Sequence, residues 1–320
     1  PMPILARFAT LATLGALALA ALEPAPARAE TQAPAGATAG QGTEAVRALQ
    51  DLLQLDGLME VMVLEGLDYG ASIEEQMFPG RGGARWEATV RAIYAPEPMR
   101  VLFDTAFAQA IAEDEAAIAA AAAFYGSDLG RRILTLEIEA RRALLDTAVE
   151  EAAAVEAERM QADRDPRLRQ IRRLIEAGDL IEMNVAGALS ANLAFFTGMA
   201  EVGPGPAVPQ EDLMAEVWGQ EAEIRSEVAN WLVPYMALSY GPLTDAELQD
   251  YVDFYASAEG KRVNAALFAG FDAVFRKVSQ PVAGSEWSFL VGPFDGLLGP
   301  WIAALTGVVC LIVWRSVAPR

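Results

Sequence analysis

Two carboxylates and two phenols stand in settings that suggest chemistry. Glu60 and Glu182 each lie among apolar neighbours, in Leu58-Met59-Glu60-Val61 and Leu180-Ile181-Glu182-Met183. Apolar surroundings disfavour an ionised carboxyl, so such a group either titrates high as an acid or is held by a cation. Arg132 and Arg262 are the cations that recur along with these acids. Each glutamate could clamp its helix to the arginine, but the expectation is that both acids are solvated points on amphipathic helices. Tyr125 and Tyr255 follow Phe124 and Phe254 in matching contexts. They could serve as phenols in a groove, but the expectation is that their rings fill a bend and their hydroxyls cap backbone carbonyls.

Much other chemistry is excluded by what is missing. There is no histidine, which removes Ser-His-Asp and Cys-His catalysis and the commonest zinc and haem ligand. The single cysteine, Cys310, permits neither an internal disulfide nor a thiolate cluster. Gly80-Arg81-Gly82-Gly83 lacks the Lys-Ser/Thr ending of a phosphate loop and follows no strand. Glu150, Glu151, Glu156 and Glu158 read as a solvated helical face. Trp231, Tyr235, Leu238 and Tyr240 could line an apolar groove, although their helical spacing is first a core pattern. No catalytic residue, metal or cofactor is therefore assigned. The formal net charge of −20 argues against nucleic acid and favours a basic protein as partner.

The elements that position these residues are organised around a stretch that occurs twice. Phe254-Tyr255-Ala256-Ser257-Ala258-Glu259-Gly260-Lys261-Arg262 echoes Phe124-Tyr125-Gly126-Ser127-Asp128-Leu129-Gly130-Arg131-Arg132 at an offset of 130. The pattern predicts a helical elbow. Ser127 and Ser257 are N-caps, Asp128 and Glu259 sit in the first turn, and Gly130 and Gly260 allow a close approach at the bend. A second echo pairs the Leu52–Val61 stretch with Leu174–Met183 at an offset of 122, which would make Glu60 and Glu182 equivalent. Together they predict an all-α body of two tandem helical modules, residues 44–163 and 164–280. Asp114 is expected to cap the helix entering the first elbow, and Thr244-Asp245-Ala246-Glu247 to form a capping box before the second. The closing helix of the first module is expected to continue through Val149 to Asp163. That of the second carries Val263, Leu267, Phe271, Val274, Phe275 and Val278 on one face.

The two ends suggest an address. Arg7, the apolar run Phe8–Leu22, and Ala27-Arg28-Ala29 read as a signal peptide over residues 1–29. A flexible linker is expected over 30–43. After a linker over 281–296, residues 297–314 are uncharged and bracketed by Trp301 and Trp314. They are long enough for a single transmembrane helix, leaving 315–320 as a basic cytoplasmic tail.

Three motifs carry a family likeness. They are the Leu52-Leu53…Leu58-Met59 run, the Leu243-Thr244…Glu247-Leu248 cap, and Phe254-Tyr255-x-Ser257-x-x-Gly260-Lys261. Together they resemble a bacterial family of exported helical proteins catalogued as domain of unknown function 2059, with the fuller likeness in the second module. Ala258 stands where a proline is common, and the first module lacks the Leu-Thr cap. The resemblance implies a helical envelope protein and supplies no catalytic residues. Two functions follow as expectations. One is a non-enzymatic periplasmic module, tethered to the inner membrane, that binds a protein partner. The other is a carrier of an apolar small molecule or lipid between helices.

Overall fold

In the computed structural model, residues 36–77, 79–202 and 208–280 are described, and among them every regular element is helical. The signal peptide and the transmembrane segment expected at the ends lie outside these residues. Six helices come first: α1 (Gly36–Leu52), α2 (Leu55–Met77), α3 (Gly83–Ile93), α4 (Pro96–Ile111), α5 (Glu115–Tyr125) and α6 (Asp128–Ala143). A connecting helix, α7 (Thr147–Ala162), leads to α8 (Pro166–Ala177), α9 (Leu180–Val202), α10 (Gln210–Gly219), α11 (Glu221–Tyr240), α12 (Asp245–Ala256) and α13 (Ala258–Ser279). Two expectations need correction. Helix starts at Gly36, inside the linker expected over 30–43. The closing helix of the first half also does not run on to Asp163. It stops at Ala143, and Asp146 caps a fresh helix by accepting a bond from the Ala148 N–H at 2.9 Å.

Both elbows are built by the predicted caps. The Ser127 Oγ accepts from the Gly130 N–H at 3.0 Å and donates to the Phe124 carbonyl at 2.6 Å. Ser257 repeats this with Gly260 at 2.9 Å and Phe254 at 2.6 Å. Each serine thus satisfies one orphan N–H of the new helix and one carbonyl of the old. The glycines are obligatory for space. A Cβ at Gly130 would lie 2.1 Å from the Phe124 carbonyl oxygen, and one at Gly260 would lie 1.9 Å from that of Phe254. Asp114 and the Thr244–Glu247 capping box also form as expected.

The two halves are interlocked. The first core gathers α1–α5 around Leu49, Met62, Phe103, Phe107 and Tyr125, but α13 closes it, contributing Val263, Ala266, Val274 and Val278. The second core gathers α8–α12 around Ile171, Leu174, Leu232, Leu248 and Tyr251, and Ile133 of α6 closes it. Each half therefore lends its closing helix to the other. The apolar stripe of α13 does face a core, as its spacing predicts, but the core of the other half. A stripe specifies that a face must be buried and leaves open against what.

Short connections set the helix angles. Gln54 (φ 51°) and Asp179 (φ 50°) take left-handed backbone between α1 and α2 and between α8 and α9. These hinges lie 125 residues apart. Glu60 then falls six residues past its hinge and Glu182 three, so the two acids are not at equivalent positions, contrary to the register of 122.

Candidate functional site

The exchange of closing helices carries a carboxylate of the first half against the second half. Glu137 lies on the apolar face of α6, one turn after the buried Ile133, and enters a ring of phenols from the other half. Its Oε1 accepts hydrogen bonds from the Tyr240 hydroxyl at 2.7 Å and the Tyr251 hydroxyl at 2.9 Å. The Tyr251 and Tyr255 hydroxyls stand 3.4 Å apart, and the Tyr235 hydroxyl donates to the Glu137 carbonyl at 3.4 Å. Burial pushes the Glu137 carboxyl above its ordinary pKa, and the two phenol bonds offset part of that rise. Burial also raises the phenols, with the Glu137 charge adding to it; Tyr255 reaches about 12. The rings pack edge to face, Tyr251 against Tyr255 at 4.9 Å and against Tyr240 at 5.7 Å.

One turn further along α6, Arg141 reaches back to α2. Its Nε and Nη2 donate to the two carboxyl oxygens of Glu65 at 2.9 and 2.6 Å, a bidentate pair with both side chains largely buried.

Glu137 and Arg141 line a cavity of about 490 Å³ bounded mainly by α6, α9, α11 and α13. Its walls are mostly apolar and include Leu134, Leu180, Trp231, Leu267 and Phe268. Trp231 and Tyr235 stack at 4.7 Å along one side. Gly187 of α9 is part of the wall, and a Cβ placed there would meet nothing within 4 Å. The volume and the few converging polar groups are those of a small-molecule site, which typically spans roughly 300–1,000 Å³.

The residues singled out from the sequence are placed as follows. Phe124, Tyr125, Phe254 and Tyr255 meet at the centre, where the two elbows face each other; Phe124 and Phe254 stack at 4.2 Å and Tyr125 meets Phe254 edge-on at 5.6 Å. Tyr255 lines the cavity. Its hydroxyl joins the phenol–carboxylate network, where a backbone carbonyl was expected as partner. The clamps do not form, and Glu60 and Glu182 stand in solvent with side-chain exposures of 69% and 53%. Glu182 pairs with Arg225 of α11, and Glu60 comes within 3.7 Å of Arg142. Arg132 instead reaches the other half, donating to Glu247 at 2.9 Å and to the Pro242 carbonyl at 2.7 Å. Arg262 approaches Asp114 at 3.6 Å. Each elbow arginine thus meets the N-terminus of the helix entering the opposite elbow, because the exchange puts that helix within reach. Of the aromatic set on α11, Trp231, Tyr235 and Tyr240 line the cavity. The Gly80–Gly83 loop turns its Gly82 and Gly83 N–H groups onto the Glu74 carboxylate, both at 3.0 Å.

Sequence reasoning missed Glu137. A signal was present. At the elbow offset of 130 its counterpart is Leu267, so an acid occupies a position in α6 where α13 carries leucine.

The class these features define is a helical, interlocked body with a mostly apolar, partly open cavity between α6, α9, α11 and α13. Residues 97–158, from α4 into α7, match the model of a family described as an uncharacterized protein conserved in bacteria, DUF2059. The likeness read from the motifs is thus met, although the match lies in the first half and the fuller likeness was expected in the second. No curated protein and no solved structure matches the chain.

Proposed function

We propose that this protein is a non-enzymatic binder of an apolar small molecule, held in the cavity between α6, α9, α11 and α13. The observation that carries this reading is the cavity itself, about 490 Å³ and mostly apolar, with Glu137 and its phenols among the few polar groups of the wall. A site of this kind gains affinity from area removed from water and orientation from one or two polar groups. The second of the two expected functions is therefore the better supported. Native mass spectrometry of the full chain tests it. A stoichiometric adduct, or 1:1 uptake of n-dodecanol that is lost in Gly187→Leu, is the expected result. A clean protein that takes up no apolar probe would sink it.

The reading as a protein-binding module draws on a different observation. Met214 and Trp218 of α10 and Val208 just before it are 40%, 56% and 45% exposed, an apolar set available to a partner. Export, a periplasmic location and a C-terminal inner-membrane tether belong to the same proposal and derive from the terminal segments. Among the described residues one stretch, Leu180–Gly198 of α9, is long and apolar enough to cross a membrane; here α9 packs against α10, α11 and α13.

A further inference from the structure

We infer that Glu137 is the recognition point for a positively charged head group, so that the molecule held in the cavity is a lipophilic amine, an ammonium group on an apolar chain. The inference rests on the cavity reading above and adds the chemistry of the ligand's polar end.

Charge balance is the first argument. Three charged side chains line the cavity: Glu137, Arg141 and Asp272. Arg141 is committed to both oxygens of Glu65, and Asp272 is paired with Arg276 at 3.2 Å. Glu137 has only phenols as partners. The cavity therefore holds one carboxyl whose charge no protein cation balances, and an ammonium would supply the missing partner. An anionic head would meet like charge at the same place.

The aromatic wall is the second. Trp231, Tyr235, Tyr240, Tyr251 and Tyr255 all line the same cavity as Glu137. The faces of such rings attract cations within about 6 Å, and the attraction grows when water is excluded. A carboxylate in a cavity lined by aromatic rings offers an ammonium a counter-charge and an aromatic surrounding.

Packing does not demand an acid at this position. Leu267 fills the corresponding position of α13 and lines the same cavity. Burial raises the Glu137 pKa, a cost that an apolar residue would avoid and that a bound cation would offset.

The test uses three probes of one chain length, dodecylammonium, n-dodecanol and dodecanoate, titrated calorimetrically into the full chain and into Glu137→Gln. Dodecylammonium should bind 1:1 and about tenfold or more tighter than the alcohol, the scale of one charge-assisted hydrogen bond, with dodecanoate weakest. In Glu137→Gln the ammonium and the alcohol should fall within about threefold of each other. Equal binding of ammonium and alcohol by the unaltered protein overturns the inference while the cavity reading stands. So does a multi-site ammonium isotherm untouched by Glu137→Gln, which would assign the attraction to the acidic surface. If none of the three binds, the cavity reading fails as well. If Glu137→Gln does not fold, ranking and stoichiometry in the unaltered protein decide together: a single tight ammonium site supports the inference and a multi-site isotherm overturns it.

Discussion

Phe124 and Phe254, at the same position of the two elbows, stack face to face with ring centroids 4.2 Å apart and planes inclined by 5°. The equivalent residues of the two halves thus meet each other where the two cores adjoin. Tyr125 packs edge-on to Phe254, and Tyr251 stacks on Phe124 at 5.6 Å. The pair should be energetically coupled. Urea unfolding of Phe124→Leu, Phe254→Leu and the double variant should give a non-additive term of about 0.5–1.5 kcal/mol. Strict additivity would mean that the stack contributes no more than its buried area.

Gly130→Ala and Gly260→Ala should each destabilise by about 1–3 kcal/mol through overpacking. This runs against helix propensity, which favours alanine over glycine in a helix by about 1 kcal/mol. The space decides the sign, since the new methyl would meet a carbonyl oxygen of the preceding helix at about 2 Å in both cases. A denaturant midpoint shifted upward in either variant would contradict the elbow geometry.

Two of the glutamate–arginine pairs that tie opening helices to others should behave differently. Glu65 and Arg141 are bidentate, with side-chain exposures of 16% and 18%. Removing Glu65 strands a buried guanidinium, so Glu65→Ala should cost about 3 kcal/mol or more. Glu182 and Arg225 stand in solvent, with exposures of 53% and 38%. Glu182→Ala should leave the melting temperature essentially unchanged. Thermal melts of the two variants side by side check both statements.

Glu137 should make stability depend on pH. Burial raises its pKa in the folded state, so the folded chain holds that proton more tightly than the unfolded chain does. Its contribution is complete below the unfolded pKa and is lost as the pH rises through the folded value. Glu137→Gln keeps a carbonyl oxygen for Tyr240 and Tyr251 and cannot ionise. The variant should therefore gain on the unaltered protein as the pH is raised from about 4 to about 8. Urea unfolding at several pH values reads the difference; a constant gap would show that Glu137 titrates normally.

The interlocking of the halves predicts how the chain tolerates being cut. Residues 36–163 expressed alone lack α13, and residues 164–280 lack α6, so each exposes the face of its core that the other half covers. Neither fragment should melt cooperatively by itself, and the mixture should recover a cooperative transition. Independent two-state melting of either fragment would show that the exchanged helices are dispensable.

The sequence by itself determined the helical class, both elbows and their caps, because these depend on contacts within about four residues. A serine three residues before a glycine, or a Thr-x-x-Glu box, acts on backbone groups next to it whatever the rest of the chain does. The break after Ala143 was harder to read. The run through Leu144 and Leu145 stays apolar, and only Asp146 marks the restart. Tertiary structure decided everything that joins distant residues. The partners of Arg132, Arg262, Glu60 and Glu182 were not legible, because an ion pair needs only proximity, and proximity follows from which core each closing helix covers. The same choice delivers Glu137 to Tyr240 and Tyr251, more than 100 residues away. Periodicity states which face of α6 is buried; only the packed molecule sets that face against the other half's phenols and leaves an apolar cavity beside them.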